Sequence, residues 1–292
     1  MDELPMHIQK AVSRYQPVET GGLTLYPIVV KDYDTFLISR SALEVMHQSL
    51  PVAMMRLPLL AALYQMDFTA VTRGKPATGL FARTLAILAL AMRLGEGKTF
   101  EDLVGLFQVV VNPSSPESLQ FIRFTDNNGE QKIITPAQYA SLRKIIAAQN
   151  GVRLESDTAN PDIVRAEKLK ATSDKLSLDI NIEDWITAVS TVTGAPEAEI
   201  DDWPILRFQR KSDSIQRLLN FVICGIGECS GTTWKNGNPC PHPFFNKQTS
   251  GSGILTAIGG TDADQKQSAP PAAAAAEIQN FAINTKRSVN TP

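Results

Sequence analysis

Apolar residues along this chain recur mostly at helical spacing, with one interruption where they alternate or cluster as strands do. The clearest helix runs from Phe81 to Leu94. Ala and Leu fill it, and Gly95 and Gly97 end it. The apolar stretch Leu80 to Leu94 is shorter than a membrane span and carries Arg83 and Arg93, so it reads as a buried helix. Residues 1–20 read as a short helical or irregular arm. Gly21-Gly22 then opens an extended run, Leu23 to Val30, which Pro27 confines to an edge strand or a non-strand segment. Asp32 or Asp34 is placed to cap a helix from about Tyr33 to His47. Pro51 is placed to open another, in which Met54, Met55, Leu59, Leu60 and Leu63 fall at helical spacing and Pro58 imposes a kink or a restart. Gly74, Pro76 and Gly79 mark the following stretch as a loop.

The interruption comes next. Leu106 to Val111 and Leu119 to Phe124 have strand character. Asn128-Gly129, inside a cluster of turn residues, signals a hairpin, with Gln131 to Ile134 as the return strand. Thr135-Pro136-Ala137-Gln138 is a capping box with proline at the first helical position. It opens a helix through Tyr139, Leu142, Ile145 and Ile146 that Asn150-Gly151 stops. Beyond it the pattern is helical again. One helix starts at Asn160-Pro161, and another at Asn181 or Glu183, with Trp185, Val189 and Val192 on one face and Gly194 at its end. An acidic start at Glu197 to Asp202 follows, and then a long run from Trp203 to Cys224. The fold class that follows is mainly α with a small β-hairpin unit inserted around 106–134, α+β overall. Its regions are an N-terminal helical part (1–105) with an extended segment at 23–30, the β unit, a C-terminal helical part (135–260), and a tail (261–292). The tail's Ala, Ser, Gln, Asn and Pro composition predicts disorder.

Composition sharpens the functional side mainly by what it lacks. Lys and Arg number 28 against 30 Asp and Glu, a net charge of −2, which argues against a dominant phosphate-binding surface and so against nucleic acid as the partner. The start of the chain has no basic, then apolar, signal pattern. The three cysteines, Cys224, Cys229 and Cys240, do not form a disulfide scaffold, so a reducing cytoplasm is expected, without a membrane anchor.

Candidate chemistry is sparse. Cys224, Cys229, Cys240 and His242 form the one metal-like group, but Cys-Pro-His is a poor pair for a tetrahedral ion, and no metal site is expected. Gly227-Glu228-Cys229-Ser230-Gly231 has the outline of a nucleophile elbow, yet the run before it is helical and no orienting acid accompanies His242. An enzyme centred on Cys229 is therefore the weakest reading, and no catalytic residue or cofactor is assigned. The acidic groups Asp32/Asp34 and Glu199/Asp201/Asp202 read as helix-start charges. The basic set Arg207, Arg210, Lys211 and Arg217 reads as a solvated face.

Several segments carry a family likeness. They are Leu25-Tyr26-Pro27-Ile28-Val29-Val30-Lys31-Asp32-Tyr33, Ser49-Leu50-Pro51, Leu57-Pro58-Leu59, Ile145 to Gly151, Asn160 to Ala166, Trp234 to Pro239, and Pro243-Phe244-Phe245. Together they resemble prophage proteins of Gram-positive bacteria in the neighbourhood of the tail assembly chaperones of long-tailed phages, over roughly residues 20–255. The resemblance implies a non-enzymatic, helical protein of the host cytoplasm. Such a protein would bind the tape-measure protein, or other tail proteins, during tail morphogenesis. Self-association is compatible with it, and a minor structural tail or baseplate component is the alternative role. The tape measure is a long helix with apolar seams, so apolar helix-in-groove contacts are the expected mode. Met54, Met55, Leu59, Leu60 and Leu63 are the candidate partner-binding residues.

Overall fold

The structure, a computed structural model, describes residues 4–95, 97–154 and 181–231. The helix expected from Asn160, the loop around Pro239 and the tail after residue 260 lie outside the described residues. What is described is mainly helical, with two small antiparallel sheets.

Helix α1 (Met6–Ser13) is followed by strands β1 (Val18–Thr20) and β2 (Leu23–Leu25), which pair Val18 with Leu25 and Thr20 with Leu23. Gly21 and Gly22 both have positive φ (56° and 76°). They therefore form the tight turn of a two-residue hairpin, the geometry whose twist matches that of its strands. The glycine pair opens β2 and also closes β1, a strand in the stretch expected as a short helical or irregular arm.

After β2 the chain runs extended to a 3-10 turn (Val30–Asp32) and into α2 (Tyr33–Leu43). Helix α2 stops short of the expected His47. Arg143 donates from Nε to Leu43 O (2.8 Å) and from Nη2 to Val45 O (2.6 Å), meeting carbonyls at the helix end. The helix expected from Pro51 is not formed. Residues 51–57 make turns, and α3 (Leu59–Thr72) begins directly after Pro58, which occupies its N-cap. Proline disfavours the helical conformation in the residue before it and cannot donate to the turn behind it, so the restart wins over the kink.

Helix α4 (Leu80–Ala91) is buried around most of its circumference, as a central helix should be. Its start is held by a neighbour. Gly79 at the N-cap has no side chain to offer, and Asp67 of α3 takes that role. Asp67 Oδ1 accepts from Thr78 N (2.7 Å), Thr78 Oγ1 (2.6 Å) and Gly79 N (3.2 Å), and Oδ2 accepts from Phe81 N (3.1 Å). A carboxylate at a helix N-terminus also favours the helix dipole.

A short helix α5 (Phe100–Gly105), capped by Thr99, precedes the meander β3 (Gln108–Asn112), β4 (Ser115–Thr125) and β5 (Gln131–Ile134). Gly129, at φ 80°, closes the β4–β5 loop over Asp126, whose Oδ1 accepts from Asn128 N and Glu130 N. Leu119, Ile122, Phe124 and Ile134 of the meander share one apolar core with α1 to α6. Helix α6 (Pro136–Gln149) opens with the capping box that its sequence announces. Thr135 N donates to Gln138 Oε1 (2.9 Å), and Thr135 Oγ1 accepts from Gln138 N.

A second, smaller cluster joins Val30 to α7 (Ile182–Thr193), α8 (Glu197–Asp201), Trp203 and the start of α9 (Ile205–Cys229). On α7 the buried face is Ile186 and Val189, whereas Trp185 and Val192 of the predicted face are exposed. Positions three and four apart share a helix face, and Ile182, which packs against the same cluster, completes this one.

Two stability measurements follow. Asp67→Ala should destabilise the fold by about 2 kcal/mol, because several amide donors at the start of α4 lose their acceptor; urea denaturation reads this directly. Tyr139 is fully buried, and its hydroxyl has no hydrogen-bond partner; the neighbouring Thr84 hydroxyl is directed to Leu80 O. Burial raises its pKa above the ordinary value of 10. The neutral phenol therefore favours the fold fully below pH 10, and that share is lost as pH rises through the folded value. Tyr139→Phe should be within about 1 kcal/mol of wild type at neutral pH, or more stable, and should lose less of its stability between pH 10 and 12. Urea midpoints over that range check it.

Candidate partner-binding surface

The five residues singled out from sequence separate in the structure. Leu59, Leu60 and Leu63 lie on α3 inside the main core, Met54 packs against that core half-buried, and Met55 is 38 % exposed. The helix that would have aligned them does not exist before Pro58, so they do not form one surface. Leu59, Leu60 and Leu63 hold the fold together, and Met55 is the member of the set best placed to meet a partner.

The polar candidates also resolve into structure. Asp202 pairs with Lys31 at 3.2 Å, and Glu199 Oε1 accepts from Trp203 Nε1 at 3.1 Å. Asp34 lies in the first turn of α2. Arg207 stacks over the Trp203 ring (4.2 Å to its centroid), and Arg210 lies over Tyr15 and donates to its hydroxyl (3.2 Å). Cys229 is the last residue of α9, so the strand–turn–helix geometry of a nucleophile elbow is absent there. Cys224 is buried, whereas Cys240 and His242 lie outside the described residues. No three His, Cys, Asp or Glu side chains converge as ligands among the described residues.

Among the described residues, the longest run of exposed large apolar side chains is on α9. This helix has 25 residues, about 37 Å at the standard rise. Ile205, Phe208, Ser212, Ile215, Leu219, Val222, Ile226 and Cys229 succeed one another by alternating steps of three and four. That is the seam of a heptad, which the sequence displays but which is hidden by the apolar residues flanking it. The protein itself closes the first half of the seam. Ile205 belongs to the main core, Phe208 packs with Val30, Ile186, Val189, Ile200 and Trp203, Ser212 is buried, and Ile215 rests on the same cluster.

From Leu218 onward the seam side is uncovered, although Cys224 on another side of the helix stays buried. Leu218, Leu219, Val222, Ile223 and Ile226 keep between 40 % and 65 % of their surface exposed. These positions form one contiguous helical stripe. No charged residue occurs from Leu218 to Gly227; Arg217 stands at one end of the stripe and Glu228 at the other. No described helix is long and apolar enough to cross a membrane. Contiguous exposed apolar surface on a protein marks a contact with something else.

Known protein families, curated proteins and solved structures contain no match to this chain.

The division between core and surface is measurable. Leu63→Ala should cost about 2–5 kcal/mol, the range for a fully buried leucine, whereas Met55→Glu should stay within about 0.5 kcal/mol of wild type. Chemical denaturation of the two variants side by side checks both values.

Proposed function

We propose that this protein works by holding another protein, as a tail-assembly-chaperone-like factor whose client is the tape-measure protein. The observation that carries the binding role is the uncovered half of the α9 seam, a charge-free apolar stripe continuous with a buried one. The class of client comes from the likeness of the Tyr26-Pro27-Ile28 and Lys31-Asp32-Tyr33 segments to tail chaperones. The two fit together chemically. A tape measure presents repeating apolar seams on a long helix, and a helix with exposed seam positions binds such a seam by knobs-into-holes packing. The stripe is short and carries no charge, which suits a complex that must come apart when tube subunits replace it.

Co-expression tests the reading. The full chain should keep the tape-measure protein encoded in the same gene cluster soluble. Leu219→Asp should abolish this while leaving its own circular dichroism and melting temperature nearly unchanged, because Leu219 is exposed and belongs to neither buried cluster. Equal solubility with and without the full chain would end the proposal.

A further inference from the structure

We infer that the face where α1 and α6 end and α9 begins binds an acidic segment of another protein. The inference is independent of the apolar stripe and adds a second contact surface.

The sequence sets the charge of this face. No Asp or Glu occurs between Pro5 and Val18, between Gln131 and Leu154, or between Trp203 and Ser212, and the runs stop at Glu19, Glu155 and Asp213. The chain as a whole carries a net charge of −2, so these acid-free runs are a local departure from its balance.

The fold brings the three runs together. At the end of α6, Gln149 Nε2 donates to Gln16 O, just past α1, at 3.4 Å. Gly151 follows α6 and abuts α9, since a Cβ on it would stand 2.8 Å from Gln209 Oε1. Arg210 of α9 lies over the Tyr15 ring, 5.5 Å from its centroid, and donates to the Tyr15 hydroxyl at 3.2 Å. Arg14 is the C-cap of α1 and precedes Tyr15, and Arg153 stands two positions beyond Gly151. Arg14, Arg153 and Arg210 therefore meet at one junction, with Lys10 one turn before Arg14 and Lys211 beside Arg210. All five are exposed, and among the described residues none of them is paired with a carboxylate.

An exposed arginine presents a planar fork that matches a carboxylate or a phosphate. Two features favour the carboxylate. Phosphate sites draw on helix N-termini, whereas α1 and α6 bring their C-terminal, carbonyl ends to this face. Single-stranded nucleic acid also uses aromatic faces on which bases stack. The rings at this junction already carry a guanidinium, Tyr15 that of Arg210 and Trp203 that of Arg207. An acidic peptide needs neither device, only cations spaced along its path.

Fluorescence anisotropy of the full chain tests this with two labelled probes of equal charge, a peptide of alternating Glu and Ser and a single-stranded oligonucleotide. At near-physiological salt, where the Debye length is about 8 Å, the peptide should bind, and more weakly as salt rises. Arg14→Gln with Arg153→Gln should weaken it about fivefold, and adding Arg210→Gln should bring the loss to about tenfold or more. Arg14 and Arg153 make no side-chain bond among the described residues, so the double variant should keep the circular dichroism spectrum and decides the matter even where the triple variant does not fold. Arg73→Gln with Lys75→Gln, which removes two exposed cations at the end of α3, should leave the affinity nearly unchanged. Absence of peptide binding overturns the inference. So does an equal loss from the α3 pair, which would reduce the effect to net charge. An oligonucleotide that binds more tightly than the peptide, and is lost with the same arginines, would make the ligand a nucleic acid and overturn the acidic protein segment.

Discussion

An extended segment buried in the middle of a helical protein must find partners for its backbone, and the stretch from Leu25 to Val30 does so by drawing three parts of the chain together. Leu25, Ile28 and Val30 are almost wholly buried, and Pro27 between them gives no amide. Tyr26 N donates to Ala91 O at the end of α4. Gln149 Nε2 donates to Leu25 O, and Asn150 Oδ1 accepts from Ile28 N, both at the end of α6. Val30 N donates to Trp203 O, and Ile28 O accepts from Ile205 N at the start of α9. An unpaired backbone group at this depth costs a large part of a hydrogen bond. The ends of α4 and α6 and the origin of α9 are therefore placed by one short run of main chain. The buried amides of Gln149 and Asn150 are structural clasps, although their types and positions would suit a ligand site.

That arrangement explains why α9 leaves the body as it does. Its first residues are held to Ile28 and Val30 by backbone bonds and by the cluster around Trp203, and the remainder continues in the direction so set. The placement of Val30 in the second cluster thus orients the surface that the proposed function uses, through about half the length of the helix.

Local signals were legible in the sequence, and signals between elements were not. The capping box at Thr135 and Gln138, the Gly129 hairpin and the apolar helix α4 each depend on residues a few positions apart, and each appears where its residues stand. The cap that Asp67 supplies to α4 comes from the preceding helix across a loop, and nothing near Gly79 reveals it. Met54, Met55 and Leu59 share a helical spacing that Pro58 cancels, so periodicity alone does not make them one surface. On α9 the reverse held. The three-and-four spacing was present in the sequence throughout, but only the burial of Phe208 beside the exposure of Val222 and Ile226 shows where the chain stops using the seam itself.

The bonds between Ile28–Val30 and Trp203–Ile205 also set an order of events during synthesis. Lys31 and Asp202, which flank this junction, are 171 positions apart. Closing so long a loop adds little entropy cost over a shorter one, but the partner must first exist. The main core draws on residues up to Val152, apart from Ile205, so most of its residues are made before those of α9. Until Trp203 and Ile205 emerge, Ile28 O lacks its donor and Val30 N its acceptor, and the apolar side of Val30 lacks its cluster. The segment that organises the finished protein is the last part of the N-terminal half to be satisfied. Premature termination anywhere before Trp203 leaves a body with an open seam where α9 should begin.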